Sequence, residues 1–109
     1  GLLPVWTLSN NETNCMIGYH SVSVITDAYL KGIPLDNPEG LLEAMIASST
    51  ADQFGKKQYE EIGFISANMQ AESVSKTLEY AYDDWCISKF AEKLGKAIFN
   101  LPDLLYHLI

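Results

Sequence analysis

The stretch from Ser73 to Leu94 reads as one helix whose apolar side changes partway along, and this constrains the chain more than any other feature. At about 100° per residue, Val74, Leu78, Ala81, Tyr82 and Trp85 share one face of its first turns, with Lys76, Glu79 and Asp83 opposite. Farther along the sides exchange. Cys86, Ile87, Phe90 and Leu94 lie where Glu79 and Asp83 lay, and Lys89 and Glu92 take the formerly apolar side. A surface helix of a small domain keeps one apolar stripe. This one must meet different neighbours at its two ends.

The rest of the chain reads as helical hairpins, an all-α antiparallel arrangement. A first helix is expected over residues 16–31. Asn10, Asn11 and Thr13 offer caps before it, Gly32 supplies the residue after its end, and Pro34 blocks continuation. The β-branched residues Val22, Val24 and Ile25 make a strand the competing reading, and the length and stop signals favour the helix. Met16, Ile17, Tyr19, Val22, Val24, Ile25, Ala28, Tyr29 and Leu30 cover nearly its whole circumference, which suits the interior of a larger helical assembly. The second helix is capped by Asn37, has Pro38 at its first position, and ends near Thr50. Leu41, Leu42, Met45, Ile46 and Ser49 form its single stripe. Residues 51–71 read as a long connection, and Gly95 closes the third helix. A fourth segment begins near Asn100 and Pro102 and ends in LLYHLI with its apolar pattern still running. The chain therefore reads as a piece of something larger.

Composition excludes some classes. The 109 residues are 48% hydrophobic and 19% charged, a globular balance. Net charge is −7, no Arg occurs, and the Lys residues form no stripe, so a nucleic-acid partner is not expected. No apolar run reaches the roughly 20 residues needed to span a bilayer. The opening GLLPVW has neither the charged region nor the cleavage site of a signal peptide, and Gly1 is not a start Met. Cys15 and Cys86 lack the spacing of a zinc site, leave the redox compartment open, and suit buried thiols.

Several polar groups invite a chemical reading. His20, Ser23 and Asp27 share one sector of the first helix, but His20 and Asp27 lie roughly 10 Å apart along its axis, too far for a triad. They are better read as satisfying one another or lining a cavity. Glu79 and Asp83, one turn apart, bring their Cβ atoms to roughly 6 Å. Such a spacing suits a glycosidase pair, yet both point the same way, whereas acid and base must flank the scissile bond. A solvated or salt-bridged face, with Lys76 offsetting the like charges, is the preferred reading, and Asp84 points off that face. Glu72 and Ser73 stand at a helix start, where the dipole favours an anion and ligand sites tend to form. Asn10, Asn11, Glu12 and Thr13 occupy the same position on the first helix. Trp6 could stack on a sugar. For Asn11 and Glu12, plain capping is the simpler alternative.

LPVWTLSNNETNCMIGYHSVSVITDAYLKGI and ESVSKTLEYAYDDWCISKFAEKLGK together resemble glycoside hydrolase family 92, the calcium-dependent exo-acting α-mannosidases. The resemblance covers nearly the whole chain and fades after Gly95. It implies that residues 1–109 are one helical segment of a larger catalytic (α/α)6 barrel. The first and third helices would be inner and the second outer. Inner helices run parallel, so Trp6, Asn11, Glu12, Glu72 and Ser73 would lie nearest the substrate pit, with Asp83 well below it. The implied activity is inverting hydrolysis of terminal α-mannose from glycans, α-1,2 being the most familiar linkage. The implied substrate is a mannose-containing glycan, the cofactor calcium, and the location periplasmic or extracellular. The family's catalytic and calcium-binding strings, E-G-N-A-W-Q-Y, N-E-P and G-Q-M-S, do not occur here. No catalytic residue, no metal ligand and no calcium bound by this chain are therefore expected, and the isolated chain should be inactive and prone to self-association. The alternative is a free-standing acidic helical module that binds a protein partner.

Overall fold

A computed structural model describes residues 2–5, 7–51 and 55–95. Trp6 and the expected fourth segment from Asn100 fall outside the described residues. The chain opens with a two-stranded antiparallel hairpin, β1 (Thr7–Leu8) and β2 (Asn11–Glu12), with Thr7 opposite Glu12 and Leu8 opposite Asn11. Its two-residue turn has Ser9 at φ 49° and Asn10 at φ 62°. Positive φ at both central residues matches the twist of the strands. Four helices follow: α1 (Ser21–Leu30), α2 (Pro38–Thr50), α3 (Lys56–Ile62) and α4 (Ser73–Leu94).

Local chemistry explains α2 and α4. The Asn37 side chain accepts a hydrogen bond from Gly40 N–H at 3.1 Å, and Pro38 begins α2 where no donor is required. The stripe of α2 is rotated slightly from its expected position. Leu42, Met45 and Ser48 are buried while Ile46 is exposed, and Ser48 Oγ accepts Leu3 N–H at 2.9 Å. The end of α4 is set by Gly95 at φ 81°, whose N–H reaches back to the helix carbonyls.

Two elements depart from expectation. The connection 51–71 contains α3, bracketed by Gly55 and Gly63 at φ 80° and 81°. The helix buries Tyr59 completely, so this stretch contributes to the core. Helix α1 begins at Ser21, five residues later than expected from residue 16. Residues 16–18 bend instead, and Tyr19 N–H donates to Asp83 Oδ2 on α4 at 2.9 Å. A tertiary acceptor has replaced the helical pattern there.

The core joins Tyr19, Val22, Leu42, Met45, Tyr59, Tyr80, Ile87 and Phe90. Helix α4 is central, packing against α1 and α2, with α3 against α2. Helices α1 and α4 run parallel, since contacts advance together: Tyr19 meets Tyr80, Thr26 Oγ1 donates to the Cys86 carbonyl, and Tyr29 packs on Phe90. The molecule measures 42 × 38 × 20 Å. Its smallest dimension is about two helix diameters, so the helices form a slab.

The slab covers an unexpected face of α4. Val74, Leu78 and Tyr82 are 72%, 56% and 50% exposed, whereas Lys76, Thr77, Tyr80, Asp83 and Asp84 are buried. The face around Asp83 is therefore not solvated, and the other expected form, a salt-bridged face, is the one present: His20 Nδ1 lies 3.7 Å from both Glu79 and Asp83. It is the apolar side of the first turns that stands open, along with Val24, Leu30 and Met16 beside α1. Cys86 is buried as expected, but Cys15 is exposed.

Candidate functional site

The buried acids of α4 grip the residue that precedes α1. Asp83 Oδ2 accepts Tyr19 N–H, and Asp84 Oδ1 accepts the Tyr19 hydroxyl. The Tyr19 ring stacks on Tyr80, with centroids 5.5 Å apart, and Tyr80 meets the edge of Tyr59 at 5.7 Å. His20 Nδ1 lies 3.7 Å from both Asp83 Oδ1 and Glu79 Oε2. We call this group the clasp.

Gly18 makes the approach possible. A Cβ there would stand 2.6 Å from Asp83 Oδ2, and no side chain can occupy that space without displacing the carboxylate. The tyrosines keep their protons because ionisation would put a further negative charge into a dry space that already holds Asp83 and Asp84. Burial, then the neighbouring Asp84, raises Tyr19 well above its usual range. The same two causes raise Tyr59. Burial and then Asp83 push Tyr80 up to about 12.

Above the clasp lies a cavity of about 470 Å³, within the range of small-molecule sites. Gly18, Tyr19 and Tyr80 line one side, and Thr7, Asn10 and Glu12 of the hairpin line the other. The Glu12 carboxylate holds its own loop together, accepting Val5 N–H at one oxygen and Asn14 N–H at the other, both at 2.8 Å. Asn11 donates to the Ser9 carbonyl at 3.1 Å and is exposed.

Glu72 and Ser73 stand elsewhere, at the start of α4. Residue His20 is level with Glu79 and Asp83, so α4 extends roughly 10–15 Å beyond the start of α1. The two helix starts are staggered, and Asp83 sits level with one of them rather than well below both. Glu72 is exposed and adopts φ 58°, ψ 31°. A left-handed glutamate costs roughly 1–2 kcal/mol, and such strain tends to collect at functional positions. Ser73 is buried, and its carbonyl accepts from Thr77 Oγ1 at 2.8 Å.

Three polar groups behave otherwise than a catalytic set. Asp27 pairs with Lys31 at 2.8 Å, Ser23 Oγ donates to the His20 carbonyl, and His20 turns to the acids of α4. Among the described residues, no group of three His, Cys, Asp or Glu side chains could hold a metal ion. The acids of the clasp are engaged by Tyr19 and His20 and do not fit a calcium site. No helix among the described residues is long and apolar enough to cross a membrane.

A slab of helices with an open apolar side and a polar clasp at one helix end is a section of wall from a larger helical barrel. The profile of the glycosyl hydrolase family 92 catalytic domain matches residues 1–102, and the chain belongs to that family. It is similar to the family GH92 α-mannosidase BT3965 from Bacteroides thetaiotaomicron, at 46% identity and TM-score 0.82 over 86% of this chain. A second structure of that enzyme, in complex with mannoimidazole, matches at 44% identity and TM-score 0.82 over 97% of the chain. The chain spans only 13% of the length of either structure. The comparison with curated proteins gave no match. Neighbours in this family have an (α/α)6 barrel, which accounts for the open faces of α1 and α4.

Proposed function

We propose that the chain forms barrel wall and part of the substrate pit in an α-mannosidase that removes terminal α-mannose from glycans with inversion at the anomeric carbon. The observation that carries this reading is the 46% identity to a GH92 α-mannosidase, together with a matching fold. The finer parts of the proposal are calcium dependence, α-1,2 preference, and a periplasmic or extracellular location. The catalytic acid, the base and the calcium ligands come from parts of the enzyme beyond this chain. Calcium, when bound there, would help distort the mannose ring.

This chain's contribution is binding. Trp6, Asn11, Glu12, Glu72 and Ser73 are the proposed sugar-facing set. Support for Glu12 is its position on the cavity, and for Glu72 its exposure and left-handed backbone. A pit that excludes water and orients the sugar contributes by holding reactants in place. The test uses the protein that contains this chain, with an aryl α-mannoside and α-1,2-, α-1,3- and α-1,6-mannobioses, with calcium or chelator. Expected are turnover lost on chelation, β-mannose as the first product by proton NMR, and the highest kcat/KM on the α-1,2 disaccharide. Release of α-mannose would refute inversion. Turnover by the isolated 109 residues would refute the assignment of catalysis to other segments.

A further inference from the structure

Residues 2–5 and 7–18 cross the helices as a strap, and among the described residues hydrogen bonds to the helices tie it at Leu3, at Pro4 and at the clasp. Leu3 N–H donates to Ser48 Oγ, and Ser21 Oγ donates to the Pro4 carbonyl, each at 2.9 Å. These are single neutral hydrogen bonds at partly or fully exposed positions. The third tie is the clasp, buried and made to two carboxylates, and bonds to charged acceptors are the stronger kind. The hairpin between the ties is exposed. The cavity lies between strap and clasp, so any drift of the strap changes its shape.

We infer that Asp83 and Asp84 are positioning residues for sugar binding, acting through Tyr19 to fix the strap that walls the cavity and carries Asn11 and Glu12. This rests on the mannosidase reading above. Neither acid touches the substrate. Their work is done before binding, because a wall that is already ordered need not be ordered by the ligand. Gly18 belongs to the same device, since its missing side chain lets the carboxylate of Asp83 reach Tyr19 N–H.

The experiment uses the protein that contains this chain. Asp83→Ala is expected to raise KM for α-mannobiose about tenfold while kcat stays within about twofold. Asp83→Asn keeps an oxygen acceptor for Tyr19 N–H and is expected to keep KM within about threefold of wild type. Tyr19→Phe retains the ring and the backbone bond, loses the hydroxyl that donates to Asp84 and to the Tyr80 carbonyl, and should raise KM by an intermediate factor. Hydrogen exchange gives a readout independent of turnover: in Asp83→Ala, amides 7–16 exchange faster while those of α2 do not change. A fall in kcat at constant KM, no rescue by Asn, or exchange that rises equally in the strap and α2 would overturn the inference. If the wild-type protein turns over no α-mannoside, the mannosidase reading itself fails, and the exchange comparison still reports whether the clasp holds the strap.

Discussion

Asp83 has no exposure at all, yet it lies on a helix that offers Val74 and Leu78 for burial. Burying a carboxylate is costly unless hydrogen bonds compensate, and here Tyr19 N–H and the nearby imidazole of His20 do so. The sequence holds all of these residues, but nothing in it says that the acid side of α4 faces inward. That depends on which helix arrives beside it, and α1 comes from more than 60 residues away. His20 as a polar group needing partners was legible; that the partners would be Glu79 and Asp83 was not. Burial of Tyr80, and after it the neighbouring Asp83, gives the protein an alkaline limit. The folded state keeps the Tyr80 proton up to about pH 12, whereas an unfolded tyrosine loses it near 10.0. Stability from that difference is complete below about pH 10 and is lost as pH rises through about 12. Urea midpoints measured at stepped pH should therefore fall across that window, and Tyr80→Phe should flatten the fall. An unchanged slope in the variant would argue that Tyr80 does not contribute.

At the scale of elements, legibility followed the range of the cause. Asn37 with Pro38, and Gly95, act within a turn of themselves, so the start of α2 and the end of α4 could be read from the residues. Helix α3 was hidden because seven residues carry too little periodicity, and glycines at both ends read as loop. The left-handed Gly55 and Gly63, spaced to bracket one short helix around Tyr59, were the available signal. The start of α1 was illegible for another reason: residues 16–18 have helix-compatible side chains but are bent by a contact with α4. Gly18 tests this. Its φ lies outside the left-handed region, so Gly18→Ala tests the steric effect of one methyl group against the Asp83 carboxylate, with His20 and Glu79 next nearest. The expected cost is about 1–3 kcal/mol, from overpacking and a weakened buried hydrogen bond. Denaturant unfolding of the variant against wild type measures it, and a loss below about 0.5 kcal/mol would mean that the carboxylate relocates freely.

The molecule as a whole is a slab with a finished side and an unfinished one. Reversal of the apolar side along Ser73–Leu94 was the sequence sign of this, and the open faces of α1 and α4 are its structural form. Exposed apolar surface of this kind drives association. The isolated chain is expected to self-associate in a concentration-dependent way by light scattering, and lysines at Val74, Leu78 and Tyr82 should shift it toward monomer. A wild-type chain that stays monomeric and folds cooperatively would favour an independent module over a section of barrel. The clasp also carries a consequence for the order of assembly. Its partners are separated by 64 and 65 residues, so closing it requires a long loop to be ordered first. The segment from Pro38 to Leu94 can gather through shorter-range contacts before Tyr19 arrives. Within this segment the wall of the cavity is then set after the helices, and a chain emerging from synthesis must wait for Asp83 and Asp84 before the strap finds its place.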